Sequence, residues 1–302
     1  MATALKEFNF EILANATAAS GVVFGIGQPI SVDQEGFDPG EDDWNDEDQE
    51  NPRRGGRVFG RETLRAPTWT FDMFINRRNP TEALASLESI KSHWRSVYIR
   101  DTPGAVAAIR YRVGGRTRRV YGRPRRFAAP PTNRILNGYV PIVATFECVD
   151  GFTYDDVEQI TTMRLSPPAV DKGFVFPRTF PVFVATPNAV NTTSVQVGGS
   201  VPAYPVITFN GPMLNPTLKH GSWTLSLTHN IPAGGSVTFD LRPWAMTIKD
   251  HQGRSVAGSL NRSQRLSDMK LYPGTNTFTL SAYSTSSSPT CTVRWANTWN
   301  SI

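Results

Sequence analysis

The chain has 302 residues, 39% hydrophobic and 19% charged, with a net charge of +5; that is enough for a sizeable core and, by ordinary domain sizes, for two domains. No apolar run reaches the roughly 18 residues of a spanning helix, and Met1-Ala-Thr-Ala-Leu-Lys-Glu lacks the basic and apolar regions of a secretory signal, so neither membrane insertion nor signal-directed secretion is expected. Cys148 and Cys291 are too few for a disulfide framework and too far apart for a zinc site; both are expected as buried strand residues.

Phe8–Leu13 alternates as a strand, and Gly21–Gly27 makes a second. These glycines do not form a dinucleotide loop, because Pro29 follows at once and no helix offers its N-terminus to a phosphate. Between Asp33 and Glu50 stand ten carboxylates and no Lys or Arg. With so little apolar surface, residues 33–56 are expected to be a long, mobile, solvated acidic loop. Asp42, Asp46 and Asp48 invite a calcium reading, but the EF-hand spacing of acids around a glycine is missing. The same loop can order against a basic neighbour through charge-assisted pairs. Arg57–Leu64 and Pro67–Ile75 are expected to form a strand pair, with Trp69, Phe71 and Met73 on one face. A helix over about 80–96 follows: Asn79 caps it, Pro80 opens it, and Ala83, Leu84, Leu87, Ile90 and Trp94 recur at helical spacing. His93, on that helix, is read as structural or exposed.

From Arg95 to Arg134 eleven arginines meet one acid, Asp101. Arginine outnumbers lysine 25 to 6 in the whole chain, a choice suited to planar bidentate pairing and interfaces. Residues 107–127 read as an arginine-coated hairpin turning at Gly114-Gly115. Interleaved Tyr111, Tyr121 and Phe127 raise a nucleic-acid reading, yet ten acids lie in the same half of the chain and no nucleic-acid module surrounds the hairpin. An intersubunit or intrachain surface is the better expectation. The strand Gly138–Asp150 completes a first domain assigned to residues 1–157.

From Asp171 onward charge thins, and Ser, Thr, Pro and Gly mark turns every eight to twelve residues, as in a sandwich of short strands. Strands are expected at 194–197, 204–210, 222–227, 236–241, 277–282 and 290–295, the last two forming a closing hairpin. Residues 158–302 are assigned to this second domain. His93, His220, His229 and His251 lack metal spacing, and no Gly-x-Ser-x-Gly elbow occurs, so no enzyme, metal or cofactor is expected. Trp223, Trp244, Trp295 and Trp299 leave a carbohydrate-binding sandwich as the alternative, although tryptophans on alternating strands more often lie in a core.

The ordered series Gly122-Arg-Pro-Arg-Arg-Phe127, Gly138-Tyr-Val140, Phe146-Glu-Cys-Val-Asp150, Pro205-Val-Ile-Thr-Phe-Asn-Gly-Pro212, Asn215-Pro216, Asp240-Leu-Arg-Pro-Trp244 and Leu271-Tyr-Pro-Gly-Thr-Asn276 resembles the distal tail proteins of long-tailed, siphovirus-type bacteriophages, especially those of actinobacterial hosts. The resemblance implies a mainly β protein with one prominent helix: an N-terminal β belt domain followed by a C-terminal galectin-like β-sandwich. It implies a structural virion protein, made in the host cytoplasm and placed at the distal end of the tail. There it forms a homo-hexameric ring joining the tail tube protein to the tail-tip hub and tape measure proteins and carrying the receptor-binding proteins. No sequence-specific nucleic acid is implied, though genome DNA passes through such a ring. A ring needs one patch of each subunit to meet a different patch of the next. Opposite charges on one chain suit that contact, so Asp42, Asp43, Asp46, Glu47 and Asp48 are expected to face Arg110, Arg112, Arg116, Arg118, Arg119, Arg123, Arg125 and Arg126 across subunits or at a tail partner.

Overall fold

The computed structural model describes residues 4–51, 54–165, 188–261, 265–283 and 289–300. The start of the compositional shift at Asp171 and two residues of the acidic segment, Pro52 and Arg53, lie outside them. The chain is mainly β, and it divides into two compact units: Met1–Asp156 with Trp299–Ile302, and Val157–Thr298. The chain thus returns to the first unit at Trp299, a residue that the sequence assigns to the second.

In the first unit, β1 (Asn9–Leu13), β2 (Val22–Gly25) and β3 (Ile30–Asp38) precede a charged arm built of β4 (Trp44–Asn45), β5 (Gln49–Glu50), β6 (Arg57–Val58) and β7 (Thr63–Leu64). There follow β8 (Thr68–Asn76), helix α1 (Pro80–Trp94), a short helix α2 (Val97–Asp101), β9 (Ala107–Val113), β10 (Arg116–Ala128), β11 (Tyr139–Cys148) and β12 (Thr153–Asp155). The sheet runs β2-β1-β9-β10-β11-β8-β3, with β12 beside β10. One face packs Phe10, Phe24, Phe71, Ile109 and Tyr111 beneath Ile90 and Trp94 of α1. The helix starts where expected: the Asn79 side chain accepts from the Glu82 backbone N–H at 2.8 Å and donates to its carboxylate at 2.9 Å, with Pro80 in the first turn. The β9–β10 turn uses Gly114 and Gly115 at φ 60° and 74°, a conformation that costs side-chain-bearing residues energy.

The second unit is a β-sandwich of β13 (Gln159–Arg164), β14 (Asn188–Val197), β15 (Val206–Asn210), β16 (Met213–His220), β17 (Trp223–Ser226), β18 (Asn230–Ile231), β19 (Ser236–Asp240), β20 (Thr247–Asp250), β21 (Gly274–Tyr283) and β22 (Thr290–Trp295). One sheet is β13-β22-β15-β19-β20; the other is β14-β21-β16-β17 with β18 beside β16. Ile207, Phe209 and Phe239 from the first meet Leu218, Trp223 and Phe278 from the second in one core. Both cysteines are buried, and burial pushes each thiol's pKa up.

Three expectations need correction. The closing hairpin does not exist: β21 and β22 alternate as predicted but pair in opposite sheets, β21 with β14 and β16, β22 with β13 and β15. Alternation shows which side of a strand is buried, and both sheets of a sandwich bury one side. Residues 57–64 do not pair with β8; β8 lies between β11 and β3. Nor are residues 33–56 a loop throughout, because β3 extends to Asp38 and the acidic segment then pairs with the basic return, Trp44 opposite Leu64 and Glu50 opposite Arg57.

Candidate assembly surfaces

Alternation along β9 and β10 sends the hairpin's arginines to both faces of the sheet. On the face away from α1, Glu11 of β1 lies opposite Arg110, which lies opposite Arg119 of β10. Glu11 is 0% exposed, accepts from the Gly21 N–H at 2.7 Å and is hydrogen-bonded to Arg110. Arg110 grips Asp156 with Nε at 2.8 Å and Nη2 at 2.7 Å, and Arg119 reaches the same carboxylate at 2.6 Å. Burial opposes ionisation of Asp156, but hydrogen bonds and charges from Arg110 and Arg119 outweigh it and hold the carboxyl below its usual range. Such a cluster is costly to desolvate, and removing one member leaves a buried charge unpaired.

Arg118 points to the opposite face. Its guanidinium lies 4.7 Å from the centroid of Trp299, whose indole N–H donates to Asp155 at 2.8 Å. The hairpin therefore holds both places where the chain leaves and re-enters this unit, Asp156 and Trp299. Arg123 donates to the carbonyls of Ala105 and Thr102 at 2.9 and 3.0 Å, Arg125 pairs with Glu147, and Arg112 is 3.6 Å from Glu7. Glu7 also accepts from the Gly114 and Gly115 amides of the turn. Arg116 and Arg126 are exposed and have no ion pair among the described residues. Most of the arginine coat read from the sequence is thus internal wiring. Glu11 and Asp156, its central partners, were missed: they lie 99 and 46 residues from Arg110. The one available signal was a lone acid in the strand Phe8–Leu13, whose other residues apart from Asn9 are apolar.

Asp150 is the counter-case. Burial pushes its carboxyl up to about 6, against hydrogen bonds from the Tyr154 hydroxyl at 2.6 Å and the Phe152 amide at 3.2 Å. No cation appears among those partners, so desolvation wins.

The arm is wired differently. Asp43 pairs with exposed Arg65 at 2.6 Å and is itself exposed, whereas the largely covered Asp48 carboxylate is reached by exposed Arg57 at 3.5 Å and accepts from the Gly60 amide at 3.0 Å. An exposed pair such as Asp43–Arg65 contributes about 0–1 kcal/mol. Asp42, Asp46 and Glu47 are exposed and have no ion pair among the described residues. The arm's apolar side chains are also bare: Trp44, Val58 and Phe59 are 53%, 58% and 77% exposed. Among the described residues, no group of three or more His, Cys, Asp or Glu is placed to hold a metal ion.

No protein-family model matches this sequence, and no curated protein matches it. Solved structures do. The SPP1 Dit protein, described as a paradigm of the hub adsorption apparatus in Gram-positive infecting phages, aligns over 96% of this chain and 98% of its own at 15% identity and TM-score 0.52. A chain of the phage P2 baseplate in its activated conformation with Ca aligns over 94% and 97% at 8% identity and TM-score 0.56. Its counterpart with Sr aligns over 95% and 97% at 10% identity and TM-score 0.57. This chain has their fold.

Two of the four sugar-stacking candidates are taken up by the core. Trp223 and Trp295 are core residues; Trp244 lies 5.6 Å from the Arg242 guanidinium and Trp299 lies against Arg118. Among the histidines, His220 stacks on Trp223 at 4.8 Å and bonds Asn276 at 2.8 Å, and burial lowers its pKa despite that bond. His93 sits on α1 with Nδ1 3.0 Å from the Ser89 carbonyl oxygen. Among the described residues, no helix is long and apolar enough to cross a membrane.

Proposed function

We propose that this chain is a structural protein of a phage tail tip, the distal tail protein of a long-tailed phage. It assembles as a closed ring, hexameric by the resemblance, between tail tube and hub. The first unit forms the ring, and the second, a galectin-like sandwich, supports the receptor-binding apparatus; genome DNA passes through the lumen. The observation that carries the reading is the near end-to-end agreement in fold, across both units, with chains of phage adsorption hubs and baseplates.

The arm supplies the physical argument for assembly. A two-stranded ribbon is marginal alone in water, and this one presents Trp44, Val58 and Phe59 to solvent instead of burying them. A neighbouring subunit would cover those side chains and meet the unpaired acids. The basic side of that contact is then Arg116 and Arg126, with Arg112 and Arg125 at its margin. Negative-stain imaging of the purified chain tests the reading: closed rings of uniform size are expected, and monomers at micromolar concentration would overturn it.

A further inference from the structure

The chain enters the sheet of the first unit through an exposed corner. Phe8, one residue before β1, takes φ 52°, and Gly25, at the end of β2, takes φ 129°. The Ile26 N–H donates to the Phe8 carbonyl at 3.4 Å, and the Phe8 N–H donates to the Arg112 carbonyl at 2.9 Å, so Phe8 and Ile26 stand together beside the β9–β10 turn. A Cβ on Gly25 would lie 2.4 Å from the Phe8 carbonyl oxygen; only glycine allows that approach. Positive φ is costly for a bulky side chain, and such strain often marks a functional position. Burial repays little of it here, because Phe8 is 49% exposed and Ile26 61%.

The corner's frame is basic. Lys6 and Arg116 are exposed and have no ion pair among the described residues. Glu7, the acid at this corner, is already engaged by Arg112 and by the Gly114 and Gly115 amides. An apolar pair in a basic frame is the complement of the arm, where Trp44, Val58 and Phe59 stand bare near the unpaired acids Asp42, Asp46 and Glu47.

We propose that the Phe8–Ile26 corner is the dock for the arm of a second copy of this chain. The arm's apolar side chains cover Phe8 and Ile26, and its acids meet Arg116 and Lys6. Dock and arm are different patches of one subunit, so the contact is heterologous and repeats from copy to copy, as ring closure needs. Apolar burial supplies affinity, and the charges fix register. The inference rests on the ring reading above and adds the surface that receives the arm.

Two measurements test it on the full-length chain. Benzoylphenylalanine replaces Phe8 in ¹⁴N chain, which is diluted about tenfold into ¹⁵N wild type, assembled and photolysed. Crosslinks of mixed label to residues 42–59 are expected. Crosslinks that fall elsewhere, or that carry one label only, overturn the dock and leave the ring, whereas a wild type that forms no rings overturns the ring reading and the dock with it. Phe8→Gly then separates docking from folding, since it removes the ring and relieves the backbone together. Its urea midpoint, measured below the assembling concentration, should be no lower than that of the wild type, while assembly followed by native mass spectrometry should need about tenfold more protein, as for loss of a buried interface anchor. Ile26→Ser should weaken assembly in the same way. Assembly indifferent to both substitutions, or a lowered urea midpoint with assembly unchanged, overturns the dock.

Discussion

The arginine hairpin and the acidic arm look like mirror images in the sequence, yet the fold uses their charges in opposite ways. In the hairpin, Arg110 and Arg119 are drawn inward onto Glu11 and Asp156, and Arg118 is fixed against Trp299. In the arm, only Asp43 and Asp48 find ion-pair partners among the described residues, and the arginine of each pair stays in solvent. Charge segregation along a chain therefore does not by itself identify a surface. What decides is whether a strand's neighbours supply the opposite charge on the same face. Glu11 does so for Arg110; nothing described does so for Asp42, Asp46 or Glu47.

The largest expected effect lies in the hairpin. Asp156→Ala strands two arginines beside Glu11 and should cost about 3–5 kcal/mol, read from urea unfolding. A loss below about 1 kcal/mol would mean that the cluster is solvated and the contrast with the arm is false. The wild-type contribution of Asp156 has a defined pH window. Its folded pKa is depressed, so the stabilisation is present above the unfolded value near 4 and fades as pH falls through the folded value.

Asp150 should behave in the reverse sense. With its folded pKa raised to about 6, its contribution favours the folded state below about 4 and is lost as pH rises through about 6. Asp150→Asn should then stabilise the protein at pH 7.5 by about 1–3 kcal/mol, and should flatten its stability between pH 4 and 6. An unchanged pH profile would show that Asp150 is hydrated. Smallest of all, neutralising Asp42, Asp46 and Glu47 together should move unfolding stability by less than about 0.5 kcal/mol.

These contrasts also mark how much was legible beforehand. The Gly114-Gly115 hairpin, the helix opened by Asn79 and Pro80, and the alternation of β21 and β22 are local patterns, and local patterns were readable. Partnership was not. Which sheet β22 joins, and which acid Arg110 meets, depend on residues far away in the chain. Strand β16 escaped notice because Pro216 interrupts it: Asn215 takes φ 50°, and the register with β21 shifts between Leu214 and Thr217. The arm was misread because it lacks apolar alternation; its short ladders rest on backbone bonds and Asp–Arg pairs instead. Of the proposed interface, the acidic side was legible as a run of unbalanced charge. Its arginine side could not be thinned to the exposed members until the strand faces were known.

The central claim is that the hairpin's charges serve the fold while the arm's serve assembly. Native mass spectrometry of the wild-type chain beside the Asp42→Asn, Asp46→Asn, Glu47→Gln variant, at low and moderate ionic strength, tests it most directly. A closed multimer is predicted for the wild type, weakened by salt and dissociated in the variant, with both proteins unfolding at the same urea concentration. A multimer that persists unchanged in the variant, or a wild type that stays monomeric, would contradict it.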